Sequence, residues 1–360
     1  MARAAARSGT HMAKPVRVLS LATASPPHEI SQDQVVEVAR TVFGPRIPQF
    51  NRMAPVFRNA GVHRRQIAMP VEWYLEPRSW PERGDAYLAA ALDLFCRAAQ
   101  GALDEAGLTA AEVDTIVTVS TTGIATPSLE ARAMARLKFR ADVARVPVFG
   151  TGCAGGATGL ALAARLAAAE PGRTVLLVCV ELCSLAFSLD ALGKADLVSL
   201  AIFGDGAAAG VLRASEGGFA EVAGSAEHTW PDTLDIMGWR IDPDGLGLVL
   251  DRALPPFVRR RMRPVVERML AAQSLSLDDI DRFVCHPGGM RVLEAMERAF
   301  DLGQGALDHE RQVLADHGNM SSPTVLFILD RVRRAELPRR SLVTALGPGF
   351  TASTVTLLAA

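Results

Sequence analysis

The chain has 360 residues and a formal charge of −1, from 38 Lys+Arg against 39 Asp+Glu. At ~150 residues per domain its length predicts two packed halves, and its balanced charge excludes binding to a polyanion by bulk attraction. A hydrophobic share of 49% excludes global disorder, and five cysteines without paired spacing argue against a disulfide framework and a zinc site.

Residues 1–13 lack a periodic pattern and are expected to be a disordered extension or an expression remnant. Val16 to Ala22 reads as a buried strand, and Ser31 caps a helix running to about Phe43. Asp85 to Leu108 reads as a long amphipathic helix, followed by a strand from Thr115 to Val119. Pro127 at a first helical turn opens a helix to about Phe139. A strand near Val146 to Phe149 leads into a Gly/Ala/Leu helix that stops before Pro171. Apolar strands at Thr174 to Val180 and Ala207 to Leu212 close a first half, 14–215; Glu181 cuts this apolar stretch short of the ~18 residues of a membrane span. In the second half, 216–360, Arg282 to Cys285 is a strand and Met290 to Phe300 a helix. Pro323 to Arg334 is a second helix, and Leu342 to Leu346 and Ser353 to Leu358 are the closing strands.

Two matches suggest an internal duplication. Cys153-Ala154-Gly155-Gly156 sits after a strand and before a helix, as does His286-Pro287-Gly288-Gly289. Further on, Gly204-Asp205-Gly206 and Gly347-Pro348-Gly349 each precede an apolar strand. In this alignment Cys153 and His286 occupy equivalent loops of two pseudo-symmetric halves. Both then reach a central crevice at the carboxyl ends of strands, where open α/β sheets place their chemistry.

Thr151-Gly152-Cys153-Ala154-Gly155-Gly156 puts a thiol on a tight strand-to-helix turn, the device that exposes the serine of a nucleophile elbow. Gly152 supplies unusual backbone angles, while Gly155, Gly156 and Gly159 allow close packing. The helix N-terminus behind Cys153 favours thiolate and is expected to lower its pKa. Cys96, Cys179 and Cys285 read as small buried hydrophobes, the ordinary fate of a cysteine.

A thiolate doing acyl chemistry needs a base or a donor nearby. His286 leaves a strand into Pro-Gly-Gly and so points from a rigid element into the crevice. His317 is its rival, and position alone does not choose between them. Ser322 and Pro323 fit the N-cap and first position of the next helix. Asn319 is left over: its carboxamide suits a fixed oxyanion donor, and equally an ordinary left-handed turn after Gly318.

Five stretches now resemble one family in order and approximate spacing: Gly-Cys-Ala-Gly-Gly around Cys153, Phe203-Gly204-Asp205-Gly206, Cys285-His286-Pro287-Gly288-Gly289, Gly318-Asn319-Met320-Ser321-Ser322 and Gly347-Pro348-Gly349-Phe350-Thr351. They are similar to the motifs of type III polyketide synthases, the chalcone synthase-like branch of the thiolase superfamily. The resemblance covers Val16 to Leu358. It implies an α/β thiolase-like fold, two pseudo-symmetric halves in a five-layered αβαβα arrangement. It also implies acyl-CoA and malonyl-CoA as substrates, no metal or other cofactor, a homodimer, no nucleic acid or integral membrane segment, and a cytoplasmic location. By the same resemblance Cys153, His286 and Asn319 are a Cys-His-Asn triad, which demotes His317, and Phe203 is the gatekeeping aromatic beside it. Thr121, Ser321, Gly347, Pro348 and Gly349 fall at positions of the substrate site.

Some positions depart from the chalcone synthase pattern. Leu248 stands where a second gatekeeping Phe is expected, and Thr126, Cys183 and Ala186 replace a Met and two Thr of the cavity. This lining suggests a space for a long aliphatic chain. Together with Trp73-Tyr74 and Arg78 to Arg83 it is closest to bacterial alkylresorcinol and alkylpyrone synthases. Arg52, Arg58, Arg64 and Arg65 form a basic cluster where related enzymes bind CoA, although Pro55 and Asn59 replace two of the family's cations. Arg52 and Arg58 are the expected CoA ligands, each equally readable as part of a solvated face.

The implied reaction starts with Cys153 attacking an acyl-CoA thioester. His286 and Asn319 then hold the malonyl thioester oxygen while CO2 leaves, and the enolate attacks the acyl-cysteine. After two or three rounds, lactonisation gives an alkylpyrone or aldol closure gives an alkylresorcinol. Two rivals stay open at this point. One is a β-ketoacyl-carrier-protein synthase III-like enzyme; the other is a catalytically silent homologue acting as an interaction partner.

Overall fold

The computed structural model describes residues 14–47, 50–186, 194–242 and 245–360, so the expectation for residues 1–13 lies outside the described residues. The chain begins with β1 (Val16–Ala24), β2 (His28–Ser31), α1 (Gln32–Phe43), the one-turn helices α2 (Phe50–Met53) and α3 (Pro55–Arg58), β3 (Arg64–Ile67) and α4 (Val71–Tyr74). Next come α5 (Trp80–Ala106), β4 (Thr115–Val119), α6 (Leu129–Leu137), β5 (Ala144–Val148), α7 (Gly155–Ala169), β6 (Thr174–Leu182), α8 (Cys183–Ala186), α9 (Lys194–Ile202) and β7 (Asp205–Ala214). The remainder holds β8 (Ala220–Thr229), β9 (Met237–Asp242), β10 (Gly245–Leu250), α10 (Leu254–Ala271), β11 (Arg282–Cys285), α11 (Met290–Phe300), α12 (Asp308–His317), α13 (Thr324–Glu336), β12 (Arg340–Gly347) and β13 (Thr351–Ala359).

Nine strands pair in the order β11-β12-β13-β8-β1-β7-β6-β4-β5. Within it one four-strand pattern occurs twice. In the first, β1, β7 and β6 are antiparallel in succession and β4 lies parallel to β6. In the second, β8, β13 and β12 are antiparallel in succession and β11 lies parallel to β12. β5 extends the first set as a parallel edge strand, and the sets join where Arg17 meets Glu221 and Val18 meets Ala220.

The apolar patterning decides what goes between the sets. α7 is apolar almost all round, which only a fully enclosed helix tolerates. It packs with α13 against strands of both sets, sharing an apolar cluster that includes Leu177, Val325, Val343 and Val355. α5 and α6 cover the outer face of the first set, and α10 with α11 covers that of the second. The result is the five-layered αβαβα arrangement of a thiolase-like fold.

This topology corrects the proposed loop equivalence. β11 corresponds to β4, so the counterpart of His286 is Ser120, the residue after β4. α7 leads into β6 as α13 leads into β12, so the counterpart of the Cys153 loop is the Asn319 loop. The Gly204 and Gly347 loops do correspond, preceding β7 and β13. Helix starts also differ in places. α5 begins at Trp80, earlier than expected, because Ser79 and Glu82 form a reciprocal cap and Pro81 fits the first turn. α6 begins at Leu129, leaving Pro127 outside it. Pro323, not Ser322, holds the N-cap position of α13.

Close approach of α7 to α13 requires glycine. A Cβ on Gly156 would lie 2.3 Å from the Ser322 carbonyl oxygen and 2.6 Å from Val325 Cγ1. Gly156→Ala should therefore cost about 3 kcal/mol or more, since main chain rather than a mobile side-chain end must yield. Gly84→Ala, in α5 with open space around its Cβ, should be neutral or stabilising by up to about 1 kcal/mol. Thermal denaturation of the two variants checks the contrast, and equal melting temperatures would refute it.

Candidate active site

Cys153 lies in the short turn Gly152–Ala154 immediately before α7. Gly152 has φ +48°, and a Cβ there would sit 2.7 Å from Pro348 Cδ. On one side Thr121, at the end of β4, accepts a hydrogen bond from Gly152 N at 3.3 Å. On the other, Gly347 lets the end of β12 touch the turn: a Cβ would lie 2.4 Å from Thr151 O and 2.6 Å from Ala154 Cβ.

Asn319 arrives from the loop before α13. Its carboxamide oxygen accepts from Ser321 N at 2.8 Å, which turns Nδ2 toward Cys153 Sγ at 4.0 Å. The left-handed angles in this loop belong to Gly318 and Ser321, so Asn319 is not there to make the turn. His286 follows β11, and its N–H donates to Thr344 O on β12 at 2.8 Å. It therefore flanks the same strand whose end touches the cysteine turn. Both of its ring nitrogens are buried without a hydrogen-bond partner. His317 is committed elsewhere: Nδ1 meets Gln66 Oε1 at 2.7 Å and the ring packs on Phe327.

Burial dominates the electrostatics. It pushes the Cys153 thiol up to about 11, with hydrogen bonds from Ser321 and Asn319 opposing only in part. This reverses the lowered value expected from the helix N-terminus. Burial likewise pulls His286 down to about 3. The resting thiol and imidazole are each neutral.

Sequence reading met Glu181 only as the interruption of an apolar run. Its carboxylate is buried and accepts from Thr121 N at 2.9 Å, Thr122 N at 3.0 Å, Thr122 Oγ1 at 2.8 Å and Ser322 Oγ at 2.9 Å. It ties the β4 loop beside Cys153 to the loop carrying Asn319. A charge inside a run of buried strand residues was the available signal, because such a group must find donors. Burial pushes its carboxyl up to about 7.

Phe203 joins the site through backbone: Asn319 N donates to Ile202 O at 2.7 Å and Gly204 N donates to Asn319 O at 3.0 Å. Phe203 lines a largely apolar cavity of about 160 Å³ with Ile30, Val38, Ile67 and Leu200, and Arg65 and Arg78 are also part of its lining. Cys183 and Ala186 are buried on α8, whose Ser184 reaches that cavity; neither is part of its wall. Leu248 is half-buried on β10, which packs on α8 and α9. Thr126 is exposed and is not part of that cavity's lining. The basic cluster divides. Arg65 is buried against main-chain carbonyls and Arg64 pairs with Glu29 and Asp316, which leaves Arg52 and Arg58 exposed on α2 and α3.

A buried thiol, an imidazole with free nitrogens and an oriented carboxamide on a thiolase-like fold are a set of groups suited to a condensing enzyme. The sequence matches the N-terminal domain of chalcone and stilbene synthases over residues 4–216 and their C-terminal domain over residues 221–359. It is 40% identical to the 1,3,6,8-tetrahydroxynaphthalene synthase of Streptomyces peucetius subsp. caesius, over 94% of this chain and 92% of that one. It is 34% identical to a putative chalcone synthase of Bacillus subtilis (strain 168), covering 92% of this chain and 96% of the relative. The crystal structure of 1,3,6,8-tetrahydroxynaphthalene synthase from Streptomyces coelicolor A3(2), a bacterial type III polyketide synthase, superposes with a TM-score of 0.91 at 28% identity, covering 95% of this chain and 99% of that one. The chain belongs to the chalcone and stilbene synthase family. It is a type III polyketide synthase, an acyltransferase that depends on malonyl-CoA, which removes the carrier-protein synthase and the silent homologue as readings.

Glu181 makes stability depend on pH. Between the ordinary carboxylate range and about pH 7 the native state keeps a proton that the unfolded chain has released. Its contribution to stability is therefore lost as pH rises through that window. Glu181→Gln should melt close to wild type at pH 5, and the difference, variant minus wild type, should grow by a few degrees by pH 8. A difference that stays flat would mean that Glu181 is ionised throughout.

Proposed function

We propose that this enzyme loads a long-chain acyl-CoA starter on Cys153, extends it with malonyl-CoA, and closes the product as an alkylpyrone or alkylresorcinol. The observation that carries this reading is the largely apolar cavity beside Phe203, which offers an alkyl tail Ile30, Val35, Val38, Ile67 and Leu200 to pack against. In the proposed reaction the Cys153 proton passes to His286, and the thiolate expels CoA from the starter, the leaving sulfur taking that proton back from His286. Malonyl-CoA then loses CO2 with its thioester oxygen held by His286 and Asn319, and the enolate takes the acyl group from sulfur. Decarboxylation supplies the carbanion equivalent, so the proposed steps call for no metal or redox cofactor.

A second reading follows from the 40% identical relative, whose name denotes an aromatic product without an alkyl chain. It would use malonyl-CoA as both starter and extender. Mass spectrometry of products from malonyl-CoA with a ladder of acyl-CoA starters separates the two. Long-chain starters should be extended, Cys153→Ala should abolish extension while keeping malonyl-CoA decarboxylation, and Val38→Phe, which fills the cavity wall, should shift preference to shorter starters. A tetrahydroxynaphthalene from malonyl-CoA alone, with dodecanoyl-CoA untouched, would establish the second reading.

We also propose a cytoplasmic homodimer. Among the described residues no helix is long and apolar enough to cross a membrane. β5 is an unpaired sheet edge, and Phe149 and Ile124 beside it are 61% and 60% exposed. Phe149→Asp should halve the mass seen by light scattering, and a variant that stays dimeric would place the interface elsewhere.

A further inference from the structure

α9 ends inside the protein, where its last carbonyls have no intrahelical N–H to accept from. Arg65, 2% exposed, supplies the missing donors. Nη1 donates to Leu200 O at 2.7 Å and to Phe203 O at 2.8 Å; Nη2 donates to Ala201 O at 3.0 Å and to the Gln32 side-chain oxygen. Gln32 is itself buried, and its Nε2 donates to Phe57 O at 2.8 Å and Ala201 O at 3.0 Å. The guanidinium is therefore held by a second side chain as well as by the carbonyls it serves.

Between those carbonyls lies that of Ile202, which accepts from Asn319 N, while Gly204 N donates back to Asn319 O. The two segments have no slack between them. A Cβ on Gly204 would sit 2.2 Å from His317 O, and one on Gly318 would sit 2.7 Å from Ile202 O. The end of α9 thus reaches Asn319 through main chain alone. Cys153 is positioned instead by Thr121, Pro348 and Gly347, and His286 by β11 and β12.

We propose that Arg65 is a positioning residue for malonyl-CoA decarboxylation, acting through the Ile202–Gly204 segment on Asn319 and on the Phe203 gate. The proposal rests on the reading that Asn319 holds the malonyl thioester oxygen. A guanidinium fork serves four acceptors at once; an ammonium group at the same place is a point charge on a flexible stem and cannot hold all of them. The loss falls on the step that uses Asn319, because displacement of a donor by about 1 Å can cost up to a hundredfold in rate. Arg65 also lines the cavity beside Phe203, so acylation is read with a starter too short to need that cavity; the turn that carries Cys153 is held by Thr121, Pro348 and Gly347, which Arg65 does not touch.

The test compares two steps in the full-length enzyme: single-turnover acylation of Cys153 by acetyl-CoA, whose acyl group is too short to need the cavity beside Phe203, followed by mass shift, and malonyl-CoA decarboxylation, followed by CO2 release. Arg65→Lys should keep acylation within about twofold of wild type and lower decarboxylation about tenfold. A decarboxylation-to-acylation ratio equal to wild type overturns the proposal, whether both rates persist or both fall together as a purely structural role requires. Should Arg65→Lys not fold, Gln32→Met removes only the side chain that orients the guanidinium and should lower the same ratio about threefold; an unchanged ratio there overturns the proposal too. Asn319→Ala is the control for the underlying reading. If it keeps full decarboxylation, that reading fails; if it loses decarboxylation while Arg65→Lys leaves the ratio intact, the positioning role alone fails.

Discussion

The site depends on two helix N-termini meeting where no side chain can stand between them. α7 and α13 are the counterpart helices of the two strand sets, enclosed together in the central layer. At their starts, a Cβ on Gly155 would lie 2.9 Å from Ser322 Cβ and one on Gly156 would lie 2.3 Å from Ser322 O. Because each helix is preceded by one functional loop, this contact carries a thiol and a carboxamide to within 4.0 Å of each other. The proximity of Cys153 and Asn319 is a product of the pseudo-symmetry, and glycine is the residue type that lets it close.

Holding several loops in register inside an apolar core is done by buried ionisable side chains bonded largely to main chain. Glu181 fixes the β4 loop to Ser322, and Arg65 fixes the end of α9. Glu310 does the same for the free edge of β11: its Oε1 accepts from Cys285 N at 3.1 Å, while Oε2 takes Arg282 Nη2 at 2.6 Å. Such groups are expensive to bury and add little net stability. Their value lies in specifying one arrangement, because each has several donors or acceptors that only that arrangement satisfies. Glu181 bonds Thr121 and Arg65 bonds Phe203 directly, while Glu310 bonds Cys285, the residue before His286.

What could be read from the sequence follows the range of the physics involved. The strand Thr115–Val119, the helix Met290–Phe300 and the Ser31 cap of α1 are set by local patterning, and they stand where that patterning puts them. The glycine-framed turn at Cys153 was equally legible, since an angle such as φ +48° at position 152 is a local demand. The loop equivalence was not, because after-strand, before-helix describes several loops and only the pairing order tells β4 from β5. Ser322 looked like a cap because its neighbour is proline, yet its hydroxyl is claimed by Glu181, 141 positions away. Arg65 resembled its neighbour Arg64 as a phosphate ligand. Alternation along β3 sends one to solvent and the other into the core, and the short strand has too few apolar residues to reveal which.

The neutral resting pair follows from comparing two magnitudes. A helix N-terminus stabilises a nearby anion by about 0.3–1 kcal/mol, up to about 2 in favourable geometry. Moving the thiol from near 9 to about 11 corresponds to about 3 kcal/mol against the thiolate, so burial wins. Charge on sulfur therefore has to appear together with a compensating charge, and in the proposed reaction His286, whose two ring nitrogens have no hydrogen-bond partner, takes the proton. In the proposed reaction this links the two halves of the chemistry. Neutral His286 has one N–H and one bare nitrogen; the bare nitrogen takes the Cys153 proton and returns it to the departing CoA sulfur, and the N–H remains as a donor to act with the carboxamide oriented by Ser321. The burial that opposes an isolated thiolate thus ties nucleophile formation to the movement of one proton from sulfur to imidazole.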